Sequence, residues 1–172
     1  MARNIEIKAR IGSVAELLPR AQALAGGADA TLIEQDDSFF PCTHGRLKLR
    51  RFTDGSAELI HYQRADAGGP KLSDYVRVPV PDADALHTAL ARAQGELGRV
   101  HKRRWLLLVG ATRVHLDEVQ GLGHFLELEV VLAEGQSEAE GQLVAERLMA
   151  ALGVQPGQLL AGAYLDLLKA PA

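Results

Sequence analysis

Eight stretches of this 172-residue chain alternate polar and apolar residues with a period of two, and in several the polar half is charge alone. Period two is the repeat of an extended strand, so each stretch sorts its side chains onto two opposite faces. Residues 46–50, RLKLR, put Arg46, Lys48 and Arg50 on one face and Leu47 and Leu49 on the other. Residues 125–129, FLELE, oppose Glu127 and Glu129 to Leu126, Leu128 and the following Val130. Residues 4–10, NIEIKAR, oppose Asn4, Glu6, Lys8 and Arg10 to Ile5, Ile7 and Ala9. Other strands align Glu58, Tyr62 and Arg64; Ser73, Tyr75 and Arg77; Lys102 and Arg104; and Arg113, His115 and Asp117. For any one strand, a sheet with one wet face accounts for the alternation. Wet faces, however, mix both signs of charge. Like charges on alternate residues of one strand repel unless something neutralises them. A polyanion would neutralise the Arg and Lys set, and a divalent cation would neutralise Glu6, Glu127 and Glu129. Both needs meet in a metal-bound triphosphate, whose oxygens suit Arg forks and Lys ammonium groups and complete a cation's octahedron.

The alternating stretches are 3–11, 32–40, 46–52, 57–64, 73–80, 99–109, 111–119 and 124–132, of which 32–40 alternates least cleanly. TDGS at 53–56 and VGAT at 109–112 read as tight turns, and DAGGPK at 66–71 as a longer loop. Helices are expected at 13–25, 82–94, 137–152 and, shorter, at 157–168. Ser13 with Glu16, and Ser137 with Glu140, form capping boxes; Asp82 is a candidate cap; Pro19 is expected to kink or shorten the first helix. The order of elements is α+β with an antiparallel sheet. Eight such strands favour closure into a barrel, which removes the edges. The length fits one domain over 1–172, with a barrel at about 3–132 and C-terminal helices at about 137–168.

The net charge of −3 gives no global attraction to nucleic acid or an anionic membrane, and an aromatic content of 5% argues against a single-stranded nucleic-acid binder. Cys42 is the only cysteine, which excludes an intrachain disulfide and a multi-cysteine zinc site. No apolar run is long enough to span a bilayer, and the charges at Arg3, Glu6, Lys8 and Arg10 are unlike a signal peptide. A cytoplasmic protein, monomer or homodimer, is expected. His44, His61, His87, His101 and His124 lack metal-ligand spacing, and His115 reads as a hydrogen-bonding spacer beside Asp117 rather than a base. Trp105, Phe125 and Tyr164 read as packing residues.

Glu6-x-Lys8, RLKLR, Lys102-x-Arg104, Asp117 in HLDEV, and Glu127-x-Glu129 in GLGHFLELE, in that order, resemble the CYTH superfamily of triphosphate tunnel metalloenzymes. The resemblance runs from residue 4 to about 132 and is strongest to the class IV adenylyl cyclase-like branch, with thiamine and inorganic triphosphatases as relatives. It implies a closed eight-stranded tunnel and Mg²⁺ or Mn²⁺ as cofactor. The substrate it implies is a small triphosphate-containing molecule. By that analogy Lys8, Arg10, Arg46, Lys48, Arg50, Lys102 and Arg104 grip the triphosphate, with Arg64, Arg77 and Arg113 as further candidates. Glu6, Glu127 and Glu129 bind the metal. Asp117, as metal ligand or orienter of the nucleophile, stands with Lys8 at the reacting end. The family's first strand reads Glu-x-Glu-x-Lys, and Asn4 stands at the first Glu. One metal site is then weak, water-bridged or absent, or a neighbour such as Glu58 supplies the charge. Cyclisation of ATP to cyclic AMP and pyrophosphate is the leading implied reaction. Hydrolysis of inorganic, thiamine or nucleoside triphosphate is the alternative, followed by a binding module without turnover and by a plain antiparallel assembly domain.

Overall fold

The alternating segments form eight strands that close on themselves. The computed structural model describes residues 2–170. The strands are β1 (Ala2–Arg10), β2 (Thr31–Phe40), β3 (Arg46–Phe52), β4 (Ala57–Arg64), β5 (Lys71–Pro79), β6 (Gly98–Val109), β7 (Thr112–Val119) and β8 (Gly123–Val131). Their order around the barrel is β1-β5-β4-β3-β2-β6-β7-β8, every neighbouring pair antiparallel, with β1 pairing β5 on one side and β8 on the other. No strand edge is left open, which removes the row of unpaired backbone groups an open sheet presents.

The barrel is inside out relative to a soluble sheet. Ile5, Ile7 and Ala9 of β1, Val114 and Leu116 of β7, and Leu126, Leu128 and Val130 of β8 face outward. They are covered by α1 (Val14–Leu24) and α3 (Glu138–Ala151). Each such fully buried Val, Leu or Ile side chain contributes about 1.5–3 kcal/mol, so the shell between barrel and helices is the main hydrophobic core. A smaller cluster of Phe40, Leu49 and Ala57 lies under α2 (Ala83–Gln94). The opposite faces of the same strands, which carry the charges, are left to line the interior.

Ser13, Asp82 and Ser137 cap α1, α2 and α3 through their side-chain oxygens, and Ser137 with Glu140 closes a full capping box. Pro19 does not shorten α1, which runs unbroken across it. Pro19 and Ala15, whose carbonyl loses its helical partner, are both exposed, so water replaces the missing bond. The helix expected at 157–168 is two pieces, a 3₁₀ turn at Pro156–Gln158 and α4 at Tyr164–Lys169. Between them the chain is extended: Leu159 bridges Ala9, and the Leu160 N–H donates to the Lys8 carbonyl at 2.9 Å. Gly162, at φ 80°, then turns it back into α4.

Candidate active site

Inward-facing side chains of seven strands and the start of α4 enclose a cavity of about 80 Å³. Of the residues singled out in the sequence, Glu6, Lys8, Lys48, Arg50, Arg64, Arg77, Lys102, Arg104, Glu127 and Glu129 line it. Asn4, Asp37, Tyr62, Ser73, Tyr75 and Tyr164 complete its polar wall, and Phe39, Ile60 and Val100 its apolar part. Arg77 is exposed and marks the open mouth. The opposite end is stopped by Phe39, Val100, Val119, Phe125, Tyr164 and Leu165, which pack as one apolar cluster.

Ion pairs fix the cations in place. Arg50 donates from Nε and Nη2 to the two oxygens of Asp37, both at 2.7 Å, and Lys48 Nζ donates to Asp37 Oδ2 at 3.0 Å. Arg104 makes the same fork on Asp117, both bonds at 2.7 Å, and reaches Glu127 Oε2 at 2.8 Å. Lys8 Nζ lies 3.3 Å from Glu127 Oε1, and Arg64 Nη1 donates to Glu6 Oε2 at 2.7 Å. Arg113 Nε donates to Glu129 Oε2 at 2.8 Å and its Nη2 to the Tyr75 hydroxyl at 3.2 Å. The repulsion expected between Glu127 and Glu129 is therefore relieved from within the protein. Burial would raise the Glu127 carboxyl, but Lys8, Arg104 and Lys102 outweigh it and hold the group well below its ordinary value. Burial likewise opposes, and His115, Arg113 and Arg104 overcome, at Glu129, held at about 2. Glu6 goes the other way, raised by burial and by Glu129 against the pull of Arg64. Burial, then the nearby Arg104, lowers Lys102 to about 7; burial, then Arg50, lowers Lys48 to about 8.

Four of the expected residues lie off the cavity wall. Arg10 is exposed, donates to the Leu122 carbonyl at 3.1 Å and stacks on Phe125, whose place in the end cluster puts Arg10 beyond the tunnel. Arg46 is at the rim, bound to Asp66 at 3.1 Å and to Asp166 at 2.8 Å. Arg113 sits behind Glu129 and Tyr75. Asp117 is fully buried behind Arg104, and both its oxygens are taken: Tyr164 donates its hydroxyl to Oδ2 at 2.8 Å, and Lys102 Nζ stands 3.7 Å from the same atom. Its contacts tie it to Arg104, which it orients. Glu58 is not on the wall and does not stand in for the missing acid. Asn4 is on the wall, beside Ser73 in register, and Asn4 Oδ1 and Ser73 Oγ are both buried without hydrogen-bond partners.

Two residues escaped the sequence reading. Among the described residues Asp37 is the sole carboxylate holding Arg50 and Lys48, and it belongs to the strand with the weakest alternation. Tyr164 does more than pack: its ring lies 4.0 Å from Lys8 Nζ and 4.9 Å from Lys102 Nζ, under both cations. The Gly162 carbonyl beside it accepts from Lys8 Nζ at 3.0 Å and from Arg64 Nη2 at 2.7 Å.

A divalent cation fits the donor set. One ligand atom each from His115, Glu127 and Glu129 lies within 4.8 Å of the others, and Glu129 Oε1 is left free by Arg113, which takes Oε2.

A closed antiparallel barrel whose interior collects cations around a pair of carboxylates is the architecture the sequence pattern resembled, and the CYTH domain family model matches residues 2–164. The chain belongs to the CYTH domain family. No curated protein is significantly similar to it in sequence. Among solved structures, this CYTH domain superposes on the PH1012 protein of Pyrococcus horikoshii with a TM-score of 0.83 at 22% identity, covering 95% of this chain and 98% of that one. A candidate adenylate cyclase from Vibrio parahaemolyticus gives 0.76 at 16% identity over 97% and 98%. The Hippeastrum protein HpAC1, a candidate adenylyl cyclase with a dominant triphosphatase activity, gives 0.68 at 13% identity over 98% and 95%. At these identities the likeness is one of fold. Among the described residues, no helix of the CYTH domain is long and apolar enough to cross a membrane.

Proposed function

We propose that this CYTH domain is a divalent-metal-dependent triphosphatase that takes a short triphosphate into its tunnel and transfers the terminal phosphoryl group to water. One observation carries the proposal. Seven Lys and Arg side chains against four carboxylates line a cavity that Tyr164 stops at one end, an excess of three positive charges turned inward. Such a chamber is electrostatically incomplete until a multiply charged anion enters.

Hydrolysis of a phosphoanhydride asks for positioning and charge neutralisation more than for covalent chemistry. Arg50, Arg104 and Arg64 offer forked donors to non-bridging oxygens, each pre-aimed by its carboxylate. Lys8 and Lys102 stand at the closed end, where the terminal phosphoryl group would be. Water adds to its phosphorus and gives up a proton to the solvent, the bond to the bridging oxygen breaks, and diphosphate or its ester leaves with the electron pair. Glu127 and Glu129 would hold the cation, Mg²⁺ or Mn²⁺, which neutralises phosphate charge when bound. Glu6, engaged by Arg64, is a further carboxylate within the same wall. Asp117 is a positioning residue acting through Arg104.

A second reading, cyclisation of ATP, is favoured by Tyr62 and Tyr75, whose rings offer faces to a purine. The two separate by product. Incubation with tripolyphosphate, thiamine triphosphate or ATP and either metal, followed by ion chromatography, should yield orthophosphate plus diphosphate or the corresponding diphosphate ester. Cyclic AMP and pyrophosphate from ATP would replace hydrolysis with cyclisation. Tight tripolyphosphate binding without any product would make the domain a binding module.

A further inference from the structure

His115 lies beside the two acids but has no role in the triphosphate reading. It sits on β7 directly opposite Glu127 on β8, and both project inward. The ring is buried, with 4% of the residue exposed. Its Nδ1 has no hydrogen-bond partner among the described residues, an arrangement that costs stability unless something fills it. That nitrogen lies 3.9 Å from Glu127 Oε2 and 3.9 Å from Glu129 Oε1, too long for hydrogen bonds to either. The spacing suits a third party. Two donors on one cation, each bonded at ~2.1 Å, lie between about 3 and about 4 Å apart.

We infer that His115 is the nitrogen ligand of the tunnel's metal site, and that it makes the site select later first-row cations such as Co²⁺ and Zn²⁺ over Mg²⁺. The inference rests on the metal-dependent reading above and specifies its cofactor. Two features set the preference. Lys8, Arg104 and Arg113 already neutralise Glu127 and Glu129, so a hard cation finds little uncompensated negative charge to attract it. Imidazole is a poor partner for Mg²⁺, which keeps water and carboxylate oxygens, and a good one for the later first-row ions. Asn4, where the family has a carboxylate, adds no charge that would restore an all-oxygen site. The cation is thereby drawn to the β7–β8 wall, one per tunnel.

The test is metal binding by the intact chain, freed of metal with a chelator and without any phosphate substrate. Co²⁺ is titrated in while visible absorption and hyperfine-shifted proton resonances are followed. Zn²⁺ and Mg²⁺ are then titrated in competition. The expected result is one Co²⁺ per chain, a shifted imidazole N–H signal, and Co²⁺ and Zn²⁺ affinities at least tenfold above that of Mg²⁺. His115→Gln should lose the shifted signal and weaken Co²⁺ at least tenfold, while Mg²⁺ binding moves less than threefold. His115→Asn serves as the second variant, and each variant's melting curve without metal certifies its fold. Unchanged Co²⁺ affinity in a folded variant, equal losses for Co²⁺ and Mg²⁺, or no imidazole signal in the wild type would each overturn the assignment. Because no substrate is present, failure of tripolyphosphate hydrolysis in the separate product assay leaves this result standing, and the reverse also holds.

Discussion

Asp37 anchors two of the cations on which the site depends, Arg50 by a fork and Lys48 by a single bond, and all three side chains are largely out of water. Removing one partner of a buried pair leaves the other charge desolvated and uncompensated, which costs about 3–5 kcal/mol. Asp37→Asn should therefore lower the unfolding free energy by about that amount in a urea titration; a loss under ~1 kcal/mol would mean that the two cations relax into water instead. Asp37 was hard to see because residues 34–38 are polar on both faces, so period two marks no inward side there. By contrast the RLKLR and FLELE strands announced their inward residues, since an uninterrupted Leu on every other position leaves only one face for charge. The lowered lysines make a second prediction. With Lys102 at about 7 and Lys48 at about 8, against ~10.4 in the unfolded chain, the unfolded state binds more protons above neutral pH. Their contribution to stability thus rises from about pH 7 towards 10. Anion binding has the opposite sign, because a bound polyphosphate restores the charged form. Calorimetry of tripolyphosphate binding at pH 8, in two buffers of different ionisation enthalpy, should show proton uptake, with affinity falling between pH 7 and 9. Proton release would contradict the assignment of these lysines to the ligand's surroundings.

At the scale of elements, the helices were legible at their starts and less so at their ends. Ser, Asp and Ser caps mark where α1, α2 and α3 begin because a side-chain oxygen is needed at those positions whatever the helix packs on. The break between the 3₁₀ turn and α4 was not legible, since it is set by the bridge of Leu159 to Ala9, a contact across the whole chain length. Where α3 crosses β1, the contact rests on Gly141, at which an added Cβ would come 2.6 Å from Leu132 Cδ2 and 2.7 Å from Ile5 Cγ1. Helix propensity alone would make Gly141→Ala stabilising by up to about 1 kcal/mol. Overpacking against a fully buried Ile5 should win, with a net loss of about 1–3 kcal/mol in chemical denaturation. A stabilised variant would show that α3 can lift off the barrel without loss. The C-terminal element has a second task at the closed end, where the Gly162 carbonyl accepts from Lys8 and Arg64 and Tyr164 donates its hydroxyl to Asp117.

The whole molecule divides its labour between two surfaces of one sheet: the outer face supplies cohesion and the inner face spends part of it on concentrated charge. A ligand that completes the inner face should stabilise the fold by mass action. Tripolyphosphate with metal at a hundredfold over its Kd should contribute about 2.7 kcal/mol, or ~5–10 °C in Tm for a chain of this size. Orthophosphate at the same concentration, reaching fewer of the cations, should give a smaller shift, and added salt should reduce both. Equal shifts from the two anions in differential scanning fluorimetry would argue against a chamber matched to a chain of phosphates.

Closure of the barrel also dictates when it can exist. Strand β1 has one neighbour in β5 and the other in β8, so its residues must wait for Val131, more than a hundred positions on, before both their flanks are paired. Until β5 and then β8 have been made, β1 keeps at least one open edge, the state in which strands recruit wrong partners. Its alternating Glu6, Lys8 and Arg10 are the kind of charges that discourage such pairing. Lys8, assigned to gripping a ligand in the finished tunnel, thus begins its existence with Glu6 and Arg10 as a guard of an unfinished one, and variants that neutralise the three should fall in soluble yield during expression by more than their loss of equilibrium stability accounts for.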